Sequence, residues 1–131
     1  MTLRVEDAMI TDVITIRADY PVKYADSLMK YFKISCLIVM DERRPVGILT
    51  NHDIIRRVYK QNKDPHIMLV EDAMSKPLIN VTPDEPLQKA VEIMTKNNIR
   101  RLPVVGKLSK GPILLGMLMQ KEVAREVRAK Y

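Results

Sequence analysis

The pentapeptide Val-Glu-Asp-Ala-Met occupies residues 5–9 and recurs without change at residues 70–74. Identical residues continue at the same offset through the regions that follow: Ile14 and Ile79, Asp19 and Asp84, Pro21 and Pro86, Ala25 and Ala90, Met29 and Met94, Ile34 and Ile99, Leu37 and Leu102, and Val39 and Val104. A longer loop in the second copy shifts the register, after which the aligned pairs are Gly47 and Gly116, Leu49 and Leu118, Arg56 and Arg125, and Val58 and Val127. Agreement of this extent indicates an internal duplication with units of roughly 60 residues. We assign residues 1–60 to the first repeat, 61–69 to a linker and 70–131 to the second repeat.

The composition is that of a globular protein of one domain's size. The 131 residues are 47% hydrophobic and 29% charged, which is ordinary for a soluble fold. Because a lone unit of about 60 residues buries a marginal core, we expect the two repeats to share one. No apolar run approaches the roughly 18 residues of a membrane span, and the first residues lack the features of a signal peptide, so a cytoplasmic location is predicted. The net charge of +6 suits nucleic acid and phosphate-bearing ligands alike.

Each repeat shows the order strand, helix, strand, strand, helix, which predicts an α/β fold. In the first repeat the predicted elements are a strand at Val13–Ile16, a helix at Val22–Phe32, strands at Leu37–Met40 and Val46–Leu49, and a helix at Asn51–Tyr59. In the second they are a strand at Leu78–Val81, a helix at Leu87–Met94, strands at Leu102–Val105 and Ile113–Met119 around a loop at Gly106–Pro112, and a helix at Gln120–Lys130. The helical assignments rest on apolar residues at helical spacing, and this spacing places Phe32 on the core face of its helix.

The end of the third strand carries the most chemically suggestive spacing, Thr50-x-x-Asp53 after Gly47. A glycine allows close approach to the backbone, a helix start offers amide donors to phosphate, and a carboxylate can accept from two ribose hydroxyls. The same spacing is also a capping box, in which Thr50 caps the helix and Asp53 bonds back to the cap. From these residues alone both interpretations stay open, and one geometry can serve both.

No other residues form a catalytic or metal-binding constellation. The two histidines, His52 and His66, are too few for a zinc site without cysteines. The single cysteine, Cys36, excludes an internal disulfide, and its apolar surroundings favour a small buried hydrophobe over a nucleophile. Trp is absent and Phe32 is assigned to the core, so no aromatic platform for nucleic-acid bases is predicted. We therefore predict neither catalytic residues nor a metal site.

Four motifs together carry a family resemblance. Val-Glu-Asp-Ala-Met opens each copy, Asp-x-Pro precedes the first helix of each, residues 99–105 read Ile-Arg-Arg-Leu-Pro-Val-Val, and Gly47 to Asp53 looks like a ribose and phosphate signature. In these features the chain resembles the CBS domain pair, also called a Bateman module, from about Val5 to Val127. The resemblance implies two pseudo-symmetric β-α-β-β-α repeats packed as one module, and we expect a stand-alone tandem pair.

The resemblance implies a regulatory rather than a catalytic protein. Such a module binds an adenosine compound, such as AMP, ADP, ATP or S-adenosylmethionine, in the cleft between its repeats and signals its level to a partner. The nucleotide is then a regulatory ligand, and no cofactor is expected. Thr50 and Asp53 are implied to hold phosphate and ribose, and the planar fork of an arginine matches phosphate oxygens. The implied nucleotide-binding residues are Ile48, Thr50, Asp53, Leu78, Ile79, Ile99, Arg100 and Arg101.

A companion site is implied to be weak, empty or adapted to a different ligand. Met119 stands where the first repeat has Thr50, and a thioether cannot replace the hydroxyl. Glu122 stands where the first repeat has Asp53, and its extra methylene moves the carboxylate. The residues of this weaker site would be Ile14, Ile34, Ser35, Cys36, Met119 and Glu122.

Two rival functions remain open from the sequence, a nucleic-acid-binding protein and an interaction module without a ligand. The regulated partner cannot be identified from the residues. Members of the family usually pair through their helices, which implies a homodimer. We expect the helices at Val22–Phe32 and Leu87–Met94 each to carry more apolar surface than their own repeat buries.

Overall fold

The structure, a computed structural model, describes residues 2–130, except for the side chains of residues 129 and 130. Its elements are α1 (Val5–Ala8), β1 (Thr15–Arg17), α2 (Val22–Phe32), β2 (Cys36–Asp41), β3 (Arg44–Thr50), α3 (Asn51–Ile54), a π-helix (Ile55–Tyr59), α4 (Val70–Ala73), α5 (Leu87–Lys96), β4 (Arg101–Leu108), β5 (Gly111–Met119) and α6 (Gln120–Lys130). The predicted α/β class is confirmed. These elements form two compact units, which we call the central unit (Ile14–Leu78) and the split unit (the described residues before Ile14 and after Leu78).

The central unit contains a three-stranded sheet of order β1-β2-β3. β1 runs parallel to β2, and β2 runs antiparallel to β3. The apolar face of α2 contributes Val22, Ala25 and Met29 to the core, in agreement with the helical spacing of these residues. The predicted helix after β3 is present, but it changes from an α-helix to a π-helix at Ile55.

The split unit contains the antiparallel hairpin of β4 and β5 and the helices α1, α5 and α6. The strand predicted at Leu78–Val81 is wrong in extent, because only Val81 pairs, in a single parallel bridge with Val104. Pro77 and Pro83 flank this stretch and have no N–H group to extend a ladder of hydrogen bonds.

The predicted loop at Gly106–Pro112 is also wrong, because most of it continues the two strands. The ladder extends through Gly106 opposite Ile113 to Leu108 opposite Gly111, which leaves a turn of only two residues. Gly111 has a φ of 115°, a conformation that glycine adopts without steric cost. The Gly, Ser and Pro residues of this segment are typical of turns. Because they are spread over the whole segment, the predicted loop was longer than the observed turn.

Phe32 does not face the core as its spacing predicted, and 46% of its surface is exposed. The helix ends at this residue, and Lys33 adopts a left-handed conformation with a φ of 56°. This reversal brings Ile34 rather than Phe32 against the core of the central unit. The core position predicted for Phe32 is wrong because the helical spacing was applied to the last residue of the helix, where the chain reverses.

The repeated pentapeptide forms two one-turn helices, α1 and α4, that the sequence did not predict. Val70 and Ala73 of α4 lie in the core of the central unit, which the first repeat otherwise builds. Val5 and Ala8 of α1 lie in the core of the split unit, which the second repeat otherwise builds. The compact units are therefore offset from the sequence repeats, because each unit takes its opening helix from the other repeat.

Candidate functional site

Thr50 and Asp53 form the capping box that their spacing suggested. The Thr50 side chain accepts from the backbone N–H of Asp53 at 3.0 Å, and Asp53 Oδ2 accepts from the backbone N–H of Thr50 at 3.1 Å. β3 ends at Thr50 and α3 begins at Asn51, so the two side chains fix the point where strand becomes helix. The capping interpretation is confirmed.

Asp53 is buried, with 4% of its surface exposed, and its carboxylate has partners beyond the cap. Ser75 Oγ donates to it, at 3.2 Å from Oδ1 and 3.3 Å from Oδ2. Arg56, one turn further along, lies 3.3 Å from Oδ1 as an ion pair. A buried carboxylate requires such partners, because leaving it unpaired away from water is costly. Both carboxylate oxygens are therefore occupied by the protein in this conformation.

The segment that supplies Ser75 is fastened to β3 and to the π-helix. Ser75 and Ile48 exchange two backbone hydrogen bonds, at 2.8 and 3.1 Å. A Cβ at Gly47 would come within 2.9 Å of the Ser75 carbonyl oxygen, so this approach requires glycine. Arg57 donates to the carbonyl oxygens of Ala73 and Met74, at 3.0 and 2.5 Å. The capping box and the segment after α4 thus form one connected polar network.

Two residues assigned to the weaker site lie beside this helix start. Cys36 pairs with Thr50 across β2 and β3, and the Ser35 carbonyl oxygen accepts from the backbone N–H of Asn51 at 2.9 Å. Ile14 and Ile34 pack against the core of the same unit. The central unit therefore brings Thr50 together with residues that the sequence assigned to the companion site.

The corresponding place in the split unit is a positively charged recess of about 260 Å³. Its lining residues are Arg100, Arg101, Met119, Gln120 and Lys121. Arg101 pairs with Met119 across the hairpin, and the Arg100 carbonyl oxygen accepts from the Gln120 N–H at 2.9 Å. Three cationic side chains and the start of α6 meet here, which suits an anionic group.

Glu122, the counterpart of Asp53 in the second repeat, has a cationic partner. Arg125 Nη1 lies 3.2 Å from its Oε2. Asp53 and Arg56 form the equivalent pair in the central unit. The duplication thus retains a carboxylate and an arginine, three residues apart, in the helix that follows each hairpin.

The predicted nucleotide-binding residues are divided between the two units. Ile48, Thr50, Asp53 and Leu78 belong to the central unit, and Ile79, Ile99, Arg100 and Arg101 belong to the split unit. Of these, Asp53 is buried, Ile79 and Arg100 are exposed, and the remainder are half-buried. The grouping of all eight around one ligand stays a prediction.

The sequence analysis missed Ser75, Arg56, Arg57 and Lys121. Arg56 could have been found, because it lies three residues after Asp53 and its counterpart Arg125 lies three residues after Glu122. Ser75 carried no such signal, because the first repeat has Ile10 at the aligned position. Its role depends on folding that brings together residues far apart in the chain.

The described part of the chain has neither a cluster of metal ligands nor a membrane-spanning helix. No group of three or more His, Cys, Asp or Glu side chains within it is placed to hold a metal ion. Within the same residues, every helix is too short or too polar to cross a membrane.

A family model described as the CBS domain matches the chain twice, at residues 5–60 and 70–129. The two matches correspond to the two sequence repeats and together cover most of the chain. The motifs that carried the resemblance lie within the matched residues.

Relatives of known sequence include both small and large proteins. A CBS domain-containing protein of Bacillus subtilis, YhcV, is 32% identical over 123 residues, which are 93% of this chain and 87% of that protein. The inosine-5′-monophosphate dehydrogenase of Korarchaeum cryptofilum is 36% identical over 120 residues, which are 92% of this chain but only 23% of the dehydrogenase. The chain also spans 44% of an uncharacterised protein of Methanopyrus kandleri, MK0525.

Solved structures match over nearly the full length. The CBS domain pair of protein MJ0100, in complex with 5′-methylthioadenosine and S-adenosyl-L-methionine, has a TM-score of 0.85 at 26% identity and covers 100% of both chains. A hexameric CBS-CP12 protein from bloom-forming cyanobacteria has a TM-score of 0.80 at 33% identity, over 95% of this chain and 67% of that one.

Proposed function

The chain belongs to the CBS domain family, whose paired domains are regulatory modules, and from this premise we propose that it binds an adenosine-containing ligand and reports its level to a partner protein. The observation that carries the proposal is the pair Thr50 and Asp53, which places a hydroxyl and a carboxylate at a strand-to-helix junction. The likeness to a CBS domain pair that is in complex with two adenosine compounds supports it. The role is regulatory rather than catalytic.

Ligand binding at Asp53 requires an exchange of partners. Both oxygens of this buried carboxylate accept hydrogen bonds from the protein, so ribose hydroxyls have to replace the contacts from Ser75 or Arg56. The exchange conserves the number of hydrogen bonds to the carboxylate, which keeps its energetic cost small. Where Ser75 is displaced, the segment after α4 loses a side-chain contact, but the backbone hydrogen bonds between Ser75 and Ile48 still join it to β3.

The recess at Arg100 and Arg101 supports a phosphate-bearing ligand. These arginines, with Lys121, line a volume of about 260 Å³ at the start of α6. Arginine binds phosphate through two parallel hydrogen bonds, which gives geometric specificity as well as charge. We propose AMP, ADP or ATP as ligands for this reason, with S-adenosylmethionine, which carries no phosphate, as the alternative.

A thermal-shift series tests the proposal. The chain should melt at a higher temperature with AMP, ATP, S-adenosylmethionine or 5′-methylthioadenosine than with the matched control GMP. At a ligand concentration about 100 times Kd, the stabilisation should reach about 2.7 kcal/mol. Equal shifts with AMP and GMP, or none with any adenosine compound, would contradict it.

A parallel titration separates the proposal from nucleic-acid binding, which the net charge of +6 also suits. A protein that neutralises several phosphates loses affinity steeply as salt increases. We expect no such salt-dependent binding to single-stranded or double-stranded DNA or RNA. A steep salt dependence without any nucleotide shift would favour the nucleic-acid function instead.

We also propose that the chain forms a homodimer through its helices. The apolar side chains exposed on the central unit support self-association. The helix α5 does not, because its apolar residues are buried or half-buried and its outward face is polar. The earlier expectation of spare apolar surface on both helices is therefore wrong for α5.

A further inference from the structure

A recess of about 550 Å³ lies in the central unit, where β1 ends, β2 turns into β3 and α4 begins. We call it the hairpin recess, and its charged lining residues are Arg17, Asp19, Asp41, Glu42, Arg43 and Glu71. Four carboxylates and two guanidinium groups give this lining a net charge of −2, whereas the chain as a whole carries +6. The hairpin recess is therefore a negative region on a positively charged protein.

The lining of the hairpin recess is exposed and charged rather than buried and apolar. All six of its charged residues are exposed to solvent. Pockets for small organic molecules are lined mostly by apolar side chains and enclose their ligand. Exposed charges of one sign instead attract and orient a protein surface of the opposite sign. The lining thus suits a polar segment of another protein better than a small organic ligand.

The turn between β2 and β3 holds two charged side chains in an unfavourable backbone conformation. Asp41 pairs with Arg44, which leaves a turn of two residues. These are Glu42, with a φ of 47°, and Arg43, with a φ of 71°. Asn and Gly are the usual residues of such a turn, because a left-handed conformation costs free energy for other side chains. The turn therefore presents two charged side chains at a cost that glycine would avoid.

The second repeat shows that the fold does not require these charges. Thr82 stands where the first repeat has Arg17, and Gly106 stands where it has Asp41. The turn of the β4-β5 hairpin carries Lys110 and no carboxylate. The charged lining is thus a feature of the first repeat and not a requirement of the architecture.

The short helix α4 joins the hairpin recess to the capping box at Asp53. At the start of α4, Glu71 lines the recess, and its backbone N–H donates to the Ala18 carbonyl oxygen at 3.0 Å. After the end of α4, Ser75 Oγ donates to Asp53, and Arg57 donates to the last carbonyl oxygens of the helix. A helix of four residues rises about 6 Å. The recess and the proposed ligand residue therefore lie at the two ends of one short helix.

We propose that the hairpin recess is the docking surface for a basic segment of the partner protein, whose lysine or arginine side chains pair with Asp41, Glu42 and Glu71. This rests on the proposed function and deepens it by assigning the surface that the partner contacts. Arginine is enriched in protein interfaces and binds a carboxylate through two parallel hydrogen bonds. Asp19 contributes less, because Arg17 already donates to both of its oxygens, at 3.0 and 2.9 Å.

A basic peptide tests the docking surface directly. A fluorescently labelled peptide of alternating arginine and glycine should bind the wild-type chain at low salt, although both molecules are positively charged. The matched peptide with glutamine in place of arginine should not bind. Fluorescence anisotropy without nucleotide measures both affinities. Absence of binding by the arginine peptide, or equal binding of the two peptides, would overturn the proposal.

Substitutions that remove a charge but keep the side chain's size locate the bound peptide. Asp41→Asn and Glu71→Gln should each weaken binding about two- to five-fold, the range of an exposed ion pair. The matched control is Glu6→Gln, which alters the same residue of the identical pentapeptide in the split unit and should leave the affinity unchanged. If Glu6→Gln weakens binding as much as Glu71→Gln, the peptide responds to overall charge and the assignment is wrong.

Arg43→Gln provides a test that damage to the fold cannot imitate. This substitution removes a guanidinium group that repels a basic segment, so the variant should bind the arginine peptide about two- to five-fold more tightly than the wild type. Lys110→Gln, in the turn of the other hairpin, is the matched control and should have no effect. Unchanged or weaker binding by Arg43→Gln would overturn the proposal.

Competition separates a protein segment from a small cation. Micromolar spermidine and submillimolar Ca²⁺ should not displace the arginine peptide, and displacement by either would assign the hairpin recess to that cation and overturn the proposal. Because the peptide titrations contain no nucleotide, they do not depend on ligand binding. Peptide binding with the expected variant effects, in a chain that shows no thermal shift with adenosine compounds, would support the docking surface and refute the proposed ligand.

Discussion

Asp53 is the one charged side chain that lies buried among those the structure describes. It is held by the backbone N–H of Thr50, by Ser75 and by Arg56. Hydrogen bonds to an ionised group contribute about 1.5–3 kcal/mol each to stability, whereas a buried partner left unpaired costs a similar amount. The carboxylate therefore has a structural role before any ligand arrives, and its proposed ligand role competes with that structural role.

Replacement of Asp53 with alanine should lower both stability and nucleotide affinity. The free energy of unfolding should fall by about 2–4 kcal/mol, since the cap, the Ser75 contact and the Arg56 pair are lost together. Affinity for AMP should fall by about 1–3 kcal/mol. Urea denaturation and calorimetry measure the two quantities.

Ser75→Ala is the matched variant for Asp53→Ala. It should lower the free energy of unfolding by about 1 kcal/mol, but it should increase nucleotide affinity, because ribose no longer displaces the serine. If both variants lose stability while neither changes affinity, Asp53 is a structural residue only.

Arg101→Ala tests the proposed phosphate contact. The variant should weaken AMP and ATP binding by about 1.5–3 kcal/mol and leave adenosine binding nearly unchanged, because only the phosphorylated ligands use the guanidinium charge. Lys121→Ala should show the same pattern at smaller size, since an ammonium does not form the paired hydrogen bonds of an arginine. Calorimetry with AMP and adenosine would contradict the assignment if the two ligands lost equal affinity.

At the residue scale, the sequence correctly predicted an interaction between residues that are close together in the chain. Thr50 and Asp53 are three residues apart, so their mutual capping follows from spacing alone. Ser75 and Asp53 form a hydrogen bond although they are 22 residues apart in the chain. Phe32 lies outside the core because its helix ends at this residue. Neither fact is contained in a short window of sequence.

At the scale of elements, the turn before α5 holds α1 in the split unit. The backbone N–H groups of Val5 and Glu6 donate to the carbonyl oxygens of Glu85 and Pro83, at 2.9 and 3.0 Å. Glu85 itself accepts from Thr82 Oγ1 at 3.0 Å and lies 3.2 Å from Lys89 Nζ. A helix of four residues is not stable alone, so α1 depends on this turn.

The charge of Glu85 should make the turn sensitive to acid. Burial disfavours its charged form, but hydrogen bonds from Lys89 and Thr82 outweigh burial and lower the pKa of Glu85 below its ordinary 4.5. A carboxylate whose pKa is lowered by folding stabilises the folded state above its ordinary pKa and loses this contribution as pH falls through the lowered value. Glu85→Gln should therefore cost about 0.5–1 kcal/mol at pH 7 and progressively less below pH 4.5.

Urea denaturation at several pH values measures this difference. Glu92→Gln is the control, because Glu92 is an exposed carboxylate on α5, the helix that follows this turn. If Glu85→Gln lowers the free energy of unfolding by the same amount from pH 7 to pH 3, the packing of the glutamate side chain and not its charge is responsible.

Long elements whose apolar residues repeat regularly could be predicted from the sequence. One-turn helices and the short strand before α5 could not. The helix at Val22–Phe32 was predicted with its observed bounds, because its apolar residues repeat over several turns. The helices α1 and α4 contain a single turn and leave no periodic trace. The strand expected at Leu78–Val81 had the right composition, but neighbouring prolines limit it to one bridge.

At the scale of the whole molecule, the duplication predicted the fold, because two copies of one pattern require two similar units. It could not predict that each compact unit takes its opening helix from the other repeat, since the pentapeptide is identical in both copies. The proposed function rests on differences between the two copies. The first repeat has Thr50 and Asp53, whereas the second has Arg100, Arg101 and Lys121.

These differences predict one nucleotide site per chain rather than two. Met119 offers no hydroxyl at the second helix start, and Glu122 is already paired with Arg125 at 3.2 Å. Isothermal calorimetry with AMP should give a stoichiometry near one. The double substitution Met119→Thr and Glu122→Asp restores the first repeat's residues in the second repeat and should raise the stoichiometry towards two. Its matched control, Thr50→Met with Asp53→Glu, should lower the stoichiometry towards zero while the chain remains folded. Two equivalent sites in the wild-type chain would contradict the asymmetry on which the assignment rests.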